Sequence, residues 1–197
     1  MKEDVWIVSS KFWGSASSRR TRIITIVIFF LFAILVTIVG VLLPLSAQEA
    51  TNEDNQLNQI QQQIQSMDLL HETAAIFQNN FEICLLMFIP VAGLVLGSIA
   101  LFNTGSYIQA ETIVENTTKG YNIPAILALF ALFIFPFSWL EFISYSTAFS
   151  ETFWFLKRGL EGKWRREIVN LFKLVLITAV LLAAGAFIEA LLLSILG

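Results

Sequence analysis

Two carboxylates stand in apolar surroundings. Glu141 follows Pro136 by five positions inside the stretch 124–156, and Glu189 sits in the last apolar run, 171–196. An ionised side chain in hydrocarbon is costly, so such acids face a protein interior or a wet cavity. On a helix, Ser138, Glu141, Ser144, Tyr145, Ala148 and Thr152 share one face. That small, polar face is expected to point inward, towards Glu189 and the Gly185 one turn before it. No Lys or Arg falls at this depth. The acids must then be protonated, hydrogen-bonded to Ser, Tyr or backbone, or bound to water or a cation.

Three readings follow. The glutamates could hydrogen-bond between helices and serve packing alone. They could relay protons or hold a cation beside a broken helix, as in many transporters. Or the region around them could receive another protein. Enzyme chemistry is not expected. The chain has one histidine, no nucleophile motif and no cluster of metal ligands, so no catalytic residue, metal or cofactor is assigned. Cys84 is the lone cysteine and lies in an apolar run, which excludes an intrachain disulfide and reads as a packing thiol.

The elements that position these residues belong to a membrane protein. Apolar residues make up 56% of the 197-residue chain and charged ones 14%, against about 45–50% and 25% in soluble domains. The net charge of −3 gives no argument for nucleic acid. Residues 1–22 form a basic N-terminal segment in which Trp6 and Trp13 suit a surface helix at headgroup level. Residues 23–45 are uncharged and long enough to anchor. Ser46-Ala47-Gln48 faintly resembles a cleavage site, but the apolar run is too long for a signal peptide.

The segment 46–80 is rich in Gln, Asn and acids, with Leu57, Ile60, Ile64, Met67, His71 and Ala74 at helical spacing. It predicts one external amphipathic helix with His71 partly buried, and a stripe that could dock a partner. Residues 81–197 form the main membrane domain. In it 81–102 reads as a span, with Pro90 a kink and Gly93, Gly97 and Ala100 a close-packing face. The 124–156 stretch is too long to cross once straight: 33 residues rise about 50 Å, against a hydrocarbon core of about 30 Å.

Charge chooses the topology. If 124–156 crosses once, half of the twelve basic residues fall on the wrong side, because 157–173 carries six of them. If it turns back at Pro136, all are cytoplasmic, as the positive-inside rule favours. The expectation is therefore an all-α bundle of five membrane segments, the third and fourth a Pro136-broken hairpin. Its N-terminus is cytoplasmic and its C-terminus external. Glu82, Glu141 and Glu189 then converge in the outer half, with Ser138 and Tyr145 beside them.

The residues 79–193 resemble the stage II sporulation protein M family. The asparagine pair Asn79-Asn80 precedes a glycine-containing span with Gly93 and Gly97, and Asn103 follows, with Thr104 where the family has glycine. Pro136 and Glu141 match its Pro-His-Gly-x-x-Glu, with Phe137 and Ser138 replacing the histidine and glycine. Ala184-Gly185-Ala186-Phe187-Ile188-Glu189-Ala190 matches a small-residue run ending Ile-Glu-Ala.

The resemblance implies a helical integral membrane protein. In spore formers the namesake works with cell-wall-degrading partners during engulfment, and that setting is not carried over. The missing histidine removes any chemistry needing an imidazole at Pro136. The expectation is a non-enzymatic scaffold or accessory subunit, partnered by other membrane proteins, further copies of itself and the bilayer. The alternative is a small transporter or a proton- or cation-coupled channel using Glu141 and Glu189.

Overall fold

The computed structural model describes residues 19–65 and 67–196, over which the chain forms seven helices and no strand. The expected surface segment around Trp6 and Trp13 lies outside the described residues. Helices α1 (Arg19–Leu42) and α7 (Trp164–Leu196) are long and apolar. Their outward residues, such as Leu31, Leu35, Leu176 and Val180, are exposed, which suits hydrocarbon and not water. Among the described residues these two helices are long and apolar enough to cross a membrane. Helices α5 (Ala125–Leu132) and α6 (Pro136–Leu160), bent by 89° at their junction, make a third crossing if taken as one broken span.

The junction explains itself locally. Pro136 opens α6 at a position where its missing N–H costs nothing. The Ser138 hydroxyl donates to the Leu132 carbonyl at 2.9 Å and the Trp139 indole N–H to the Phe133 carbonyl at 2.8 Å. The Ser138 bond joins that of the Phe135 N–H on the Leu132 carbonyl, and the Trp139 bond occupies a carbonyl beyond the reach of the α5 ladder.

The expected hairpin at Pro136 is not what forms. Ala125 packs beside Val41 at one end of α1, while Glu151 and Trp154 reach Arg22 and Thr25 at the other. The two arms therefore progress along α1 in one direction. A proline at the first helical position starts a helix, and the residues before it bend the path without reversing it.

The chain folds back at Pro90 instead. The expected 81–102 span is divided between α3 (Leu69–Met87) and α4 (Ala92–Lys119). Val91 sits at φ 65° and ψ −60°, and the Ala92 N–H donates to the Pro90 carbonyl at 2.8 Å. This is a three-residue γ-turn, strained for any side chain and more so for a β-branched one. The Thr152 hydroxyl anchors the turn by donating to the Met87 carbonyl at 2.7 Å.

From the turn, α3 runs beside α7, with Ile76 against Ala186 and Ala190. Helix α4 runs beside α1, with Gly105 at Gly40, and meets α6 where Gly97 faces Phe149. Asn116 and Lys119 consequently lie past the Val41 end of α1. The expectation that Lys119 shares a side with Arg19–Arg22 and the 157–173 cluster is corrected.

The amphipathic segment is also interrupted. Helix α2 (Ala47–Gln65) ends before Asp68, which opens α3. His71 is exposed and paired with Asp68, not partly buried, because the new start turns the second half of the stripe. Ala74 is exposed as well. Helix α2 lies along α4, where Ser106 donates to Glu53 at 2.9 Å.

Candidate functional site

A cavity of about 770 Å³ lies among α2, α3, α4 and α6, and Glu141 and Glu189 both line it. Asn80 is the residue that organises it. Its amide Nδ2 donates to Glu141 Oε1 at 2.6 Å, joining α3 to α6. Glu189 arrives from α7 as the electrostatic neighbour of Glu141, and Glu72 stands near Glu189 in turn. Glu72 is buried, and its Oε1 has no hydrogen-bond partner among the described residues. Tyr145 is buried against the two acids and lines the cavity. No Lys, Arg or His is among the described residues on its wall.

The remaining expected site residues fall in different places. Ser138 is buried, but its hydroxyl serves the α5–α6 junction. Ser144 likewise donates to its own helix, at the Leu140 carbonyl. The donor to Glu141 is therefore an asparagine and not the hydroxyls of its own face. Glu82 lines the cavity edge, exposed, and accepts from Gln78 at 2.9 Å. It lies well along α3 rather than at the start of a span.

Gly97 lets Met87 and Phe149 approach, as expected of a packing glycine. Gly93 instead clears the Met87 carbonyl inside the turn, and Gly185 is in ordinary contact with α6. The tightest helix approach is one the sequence did not suggest, Gly40 on α1 against Gly105 on α4. Gly105 lies among Asn103, Thr104, Ser106 and Tyr107, a polar stretch with no apolar periodicity to mark it as a helix contact.

A second polar cluster was also missed. Arg22 bridges Glu151 and Glu167, the first at 2.6 Å, and so ties α1, α6 and α7 at their common end. Glu151 and Glu167 are buried, and Arg158 Nε is 3.7 Å from Glu167 Oε1. Trp154 and Ser150 complete the wall through Thr25, each at 2.8 Å. The signal existed. Glu151 lies three residues after Ala148, on the polar face already noted, and is as unusual in its apolar run as Glu141.

The arrangement offers two unlike electrostatic sites. At one end, buried acids are matched by a half-buried guanidinium. In the cavity, carboxylates face open space with one amide donor between them, an arrangement that takes a proton or a cationic group.

Comparison with known proteins adds a family. The pattern described as stage II sporulation protein M matches residues 26–192, most of the chain, and the protein belongs to that family. No curated protein and no solved structure matches the chain. The match extends the resemblance towards the N-terminus to include α1 from residue 26 onward and the whole of α2. Asn79, Asn80, Asn103, Glu141 and Glu189, which carried the resemblance, all line the cavity.

Proposed function

We propose that this member of the stage II sporulation protein M family binds a small solute in the membrane and moves it in company with a proton or cation. The observation that carries this reading is the cavity that reaches Glu141 and Glu189. Its volume lies in the range of about 300–1,000 Å³ typical of small-molecule sites. Leu57, Ile60 and Ile64 of α2 line the same cavity, so the stripe that could have received a partner serves the chain's own site. Binding of this kind needs no covalent chemistry.

The topology we infer has three crossings: α1, the broken α5–α6 pair, and α7. Helices α3 and α4 enter from the far side and return there. The described basic residues other than Lys119 then lie on the cytoplasmic side, in keeping with the positive-inside rule. This gives a cytoplasmic N-terminus and an external C-terminus in the cell membrane, with α2 outside.

A scaffold or accessory subunit is the second reading, and one observation favours it. Glu82, Asn103 and Thr104 expose polar side chains on the flank of the bundle, which contact with lipid tails alone would leave without water. Water in an open cavity, or a partner, would satisfy them.

One experiment separates the two. In a Cys84→Ala background, Thr104→Cys should react with a membrane-impermeant maleimide added outside intact cells. In proteoliposomes, Glu141→Gln with Glu189→Gln should then abolish proton-coupled uptake while leaving the protein folded. A Thr104→Cys variant that resists the reagent but cross-links to a neighbouring chain would establish the scaffold reading instead.

A further inference from the structure

We infer that the cavity's ligand is an organic cation, an ammonium group on an apolar body, with its charge held between Glu141 and Glu189. This deepens the solute-binding reading and rests on it. Four observations combine.

The first is the charge balance. Glu141 and Glu189 line the space, and the described wall has no basic side chain to neutralise them. Glu141 has one donor, Asn80, and no hydrogen-bonding partner is found for Glu189 among the described residues. Two carboxylates at one site, with a single amide donor on Glu141, take up a proton or a positive charge.

The second is Glu72. It is 4% exposed, stands beside Glu189 and leaves Oε1 unpartnered. That unpaired acceptor beside Glu189 adds to the acidic character of this side of the cavity.

The third is geometry. The acids do not gather with a third ligand into a group able to chelate a metal ion, within the described residues. A volume of about 770 Å³ is also far larger than a bare ion fills. A proton or sodium ion alone would leave most of the space empty, whereas an organic molecule would occupy it.

The fourth is the rest of the lining. Tyr107, Tyr145 and Phe142 put aromatic rings on the wall, and Met87 and Leu101 add apolar surface. Aromatic faces attract ammonium groups, best when water is excluded. An anionic or purely polar ligand would waste this surface and meet repulsion from the acids.

The test uses the purified full-length protein in detergent and three charge pairs of matched shape. These are butylammonium against butanol, phenethylammonium against phenethyl alcohol, and choline against its neutral carbon isostere. Binding is read by calorimetry. At least one ammonium should bind about tenfold or more tightly than its neutral twin, the factor a charge-assisted hydrogen bond carries. That preference should vanish in Glu141→Gln with Glu189→Gln, and the variant's unchanged helical circular dichroism would show that it still folds.

Tighter binding of the neutral twins would overturn the cation and leave the cavity reading standing. Binding of no compound, together with an unreactive Thr104→Cys, would overturn both. Binding of no compound by a protein whose Thr104→Cys does react would overturn the cation alone. Stabilisation by sodium chloride as strong as by any ammonium salt would replace the organic ligand with a simple ion.

Discussion

The side-chain amide of Asn80 donates to Oε1 of Glu141 at 2.6 Å, across 61 positions of sequence. This bond decides the height at which α3 meets α6 and leaves the rest of the carboxylate facing the cavity. Replacing Asn80 by Leu removes the donor of a half-buried carboxylate, a loss of about 1 kcal/mol, the low end of the cost of an unsatisfied acceptor. Glu141→Gln keeps an acceptor oxygen for Asn80. Thermal unfolding in detergent should therefore fall clearly for Asn80→Leu and little for Glu141→Gln. Equal losses would show that the bond does not hold the helices.

Arg22 carries the opposite end of the bundle. Its guanidinium reaches two carboxylates on two other helices, a geometry that suits the planar fork of arginine and not a lysine ammonium. Arg22→Met leaves Glu151 buried without its cation and Glu167 with Arg158 alone, and breaking a buried pair this way costs about 3–5 kcal/mol. Removing the acids too, as Arg22→Met with Glu151→Leu and Glu167→Leu, should recover most of that loss, because apolar packing replaces charge. The measurement is the denaturation midpoint of the three proteins, and a triple variant no better than the single would refute the network's role.

Much of this was legible before the structure, and the failures have physical causes. Glu141 and Glu189 stood out because charge in an apolar run is costly, and both line one cavity. The basic clusters of α1 and of 157–173 do share one end of the bundle. What misled was the choice of proline. Pro90 and Pro136 look alike in sequence, yet Pro136 begins a helix whose neighbours absorb the break. Pro90 precedes a γ-turn at Val91 that reverses the chain. No residue near Val91 announces that turn, since valine is a poor occupant of positive φ; the packing of Thr152 on Met87 holds it. Ser46 was likewise ambiguous, because small residues after an apolar run suit a cleavage site and a helix cap equally.

The contact of α1 with α4 depends on two hydrogens. A Cβ on Gly40 would come within 2.1 Å of the Phe102 carbonyl, and one on Gly105 within 2.1 Å of the Thr37 carbonyl. Both obstacles are backbone, so neither can rotate away, and the helices must part. Gly40→Ala and Gly105→Ala should each lower stability by about 1–3 kcal/mol, the usual cost of overpacking. Gly185→Ala is the control. Its nearest neighbours would lie at 3.6 Å, ordinary contact, and it gains from alanine's better helix propensity. Thermal unfolding of the three variants checks the order, and a Gly185→Ala as damaging as Gly105→Ala would contradict it.

Helix α2 should respond to acid through its first turn. Ser46 and Glu49 form a reciprocal cap: the Ser46 N–H and hydroxyl donate to Glu49 Oε2 at 2.9 and 2.7 Å, and the Glu49 N–H returns to Ser46 Oγ at 3.3 Å. The Ser46 hydroxyl first, and its backbone N–H second, hold the Glu49 carboxyl below its ordinary value. A carboxylate lowered on folding stabilises above its unfolded pKa, about 4.3, and that contribution is lost as pH falls through the folded value. Amide exchange at the start of α2 should therefore accelerate below about pH 4 relative to its intrinsic rate. Glu49→Gln should exchange faster at neutral pH and lose the acid step. An acid step that survives in Glu49→Gln would assign it to another group.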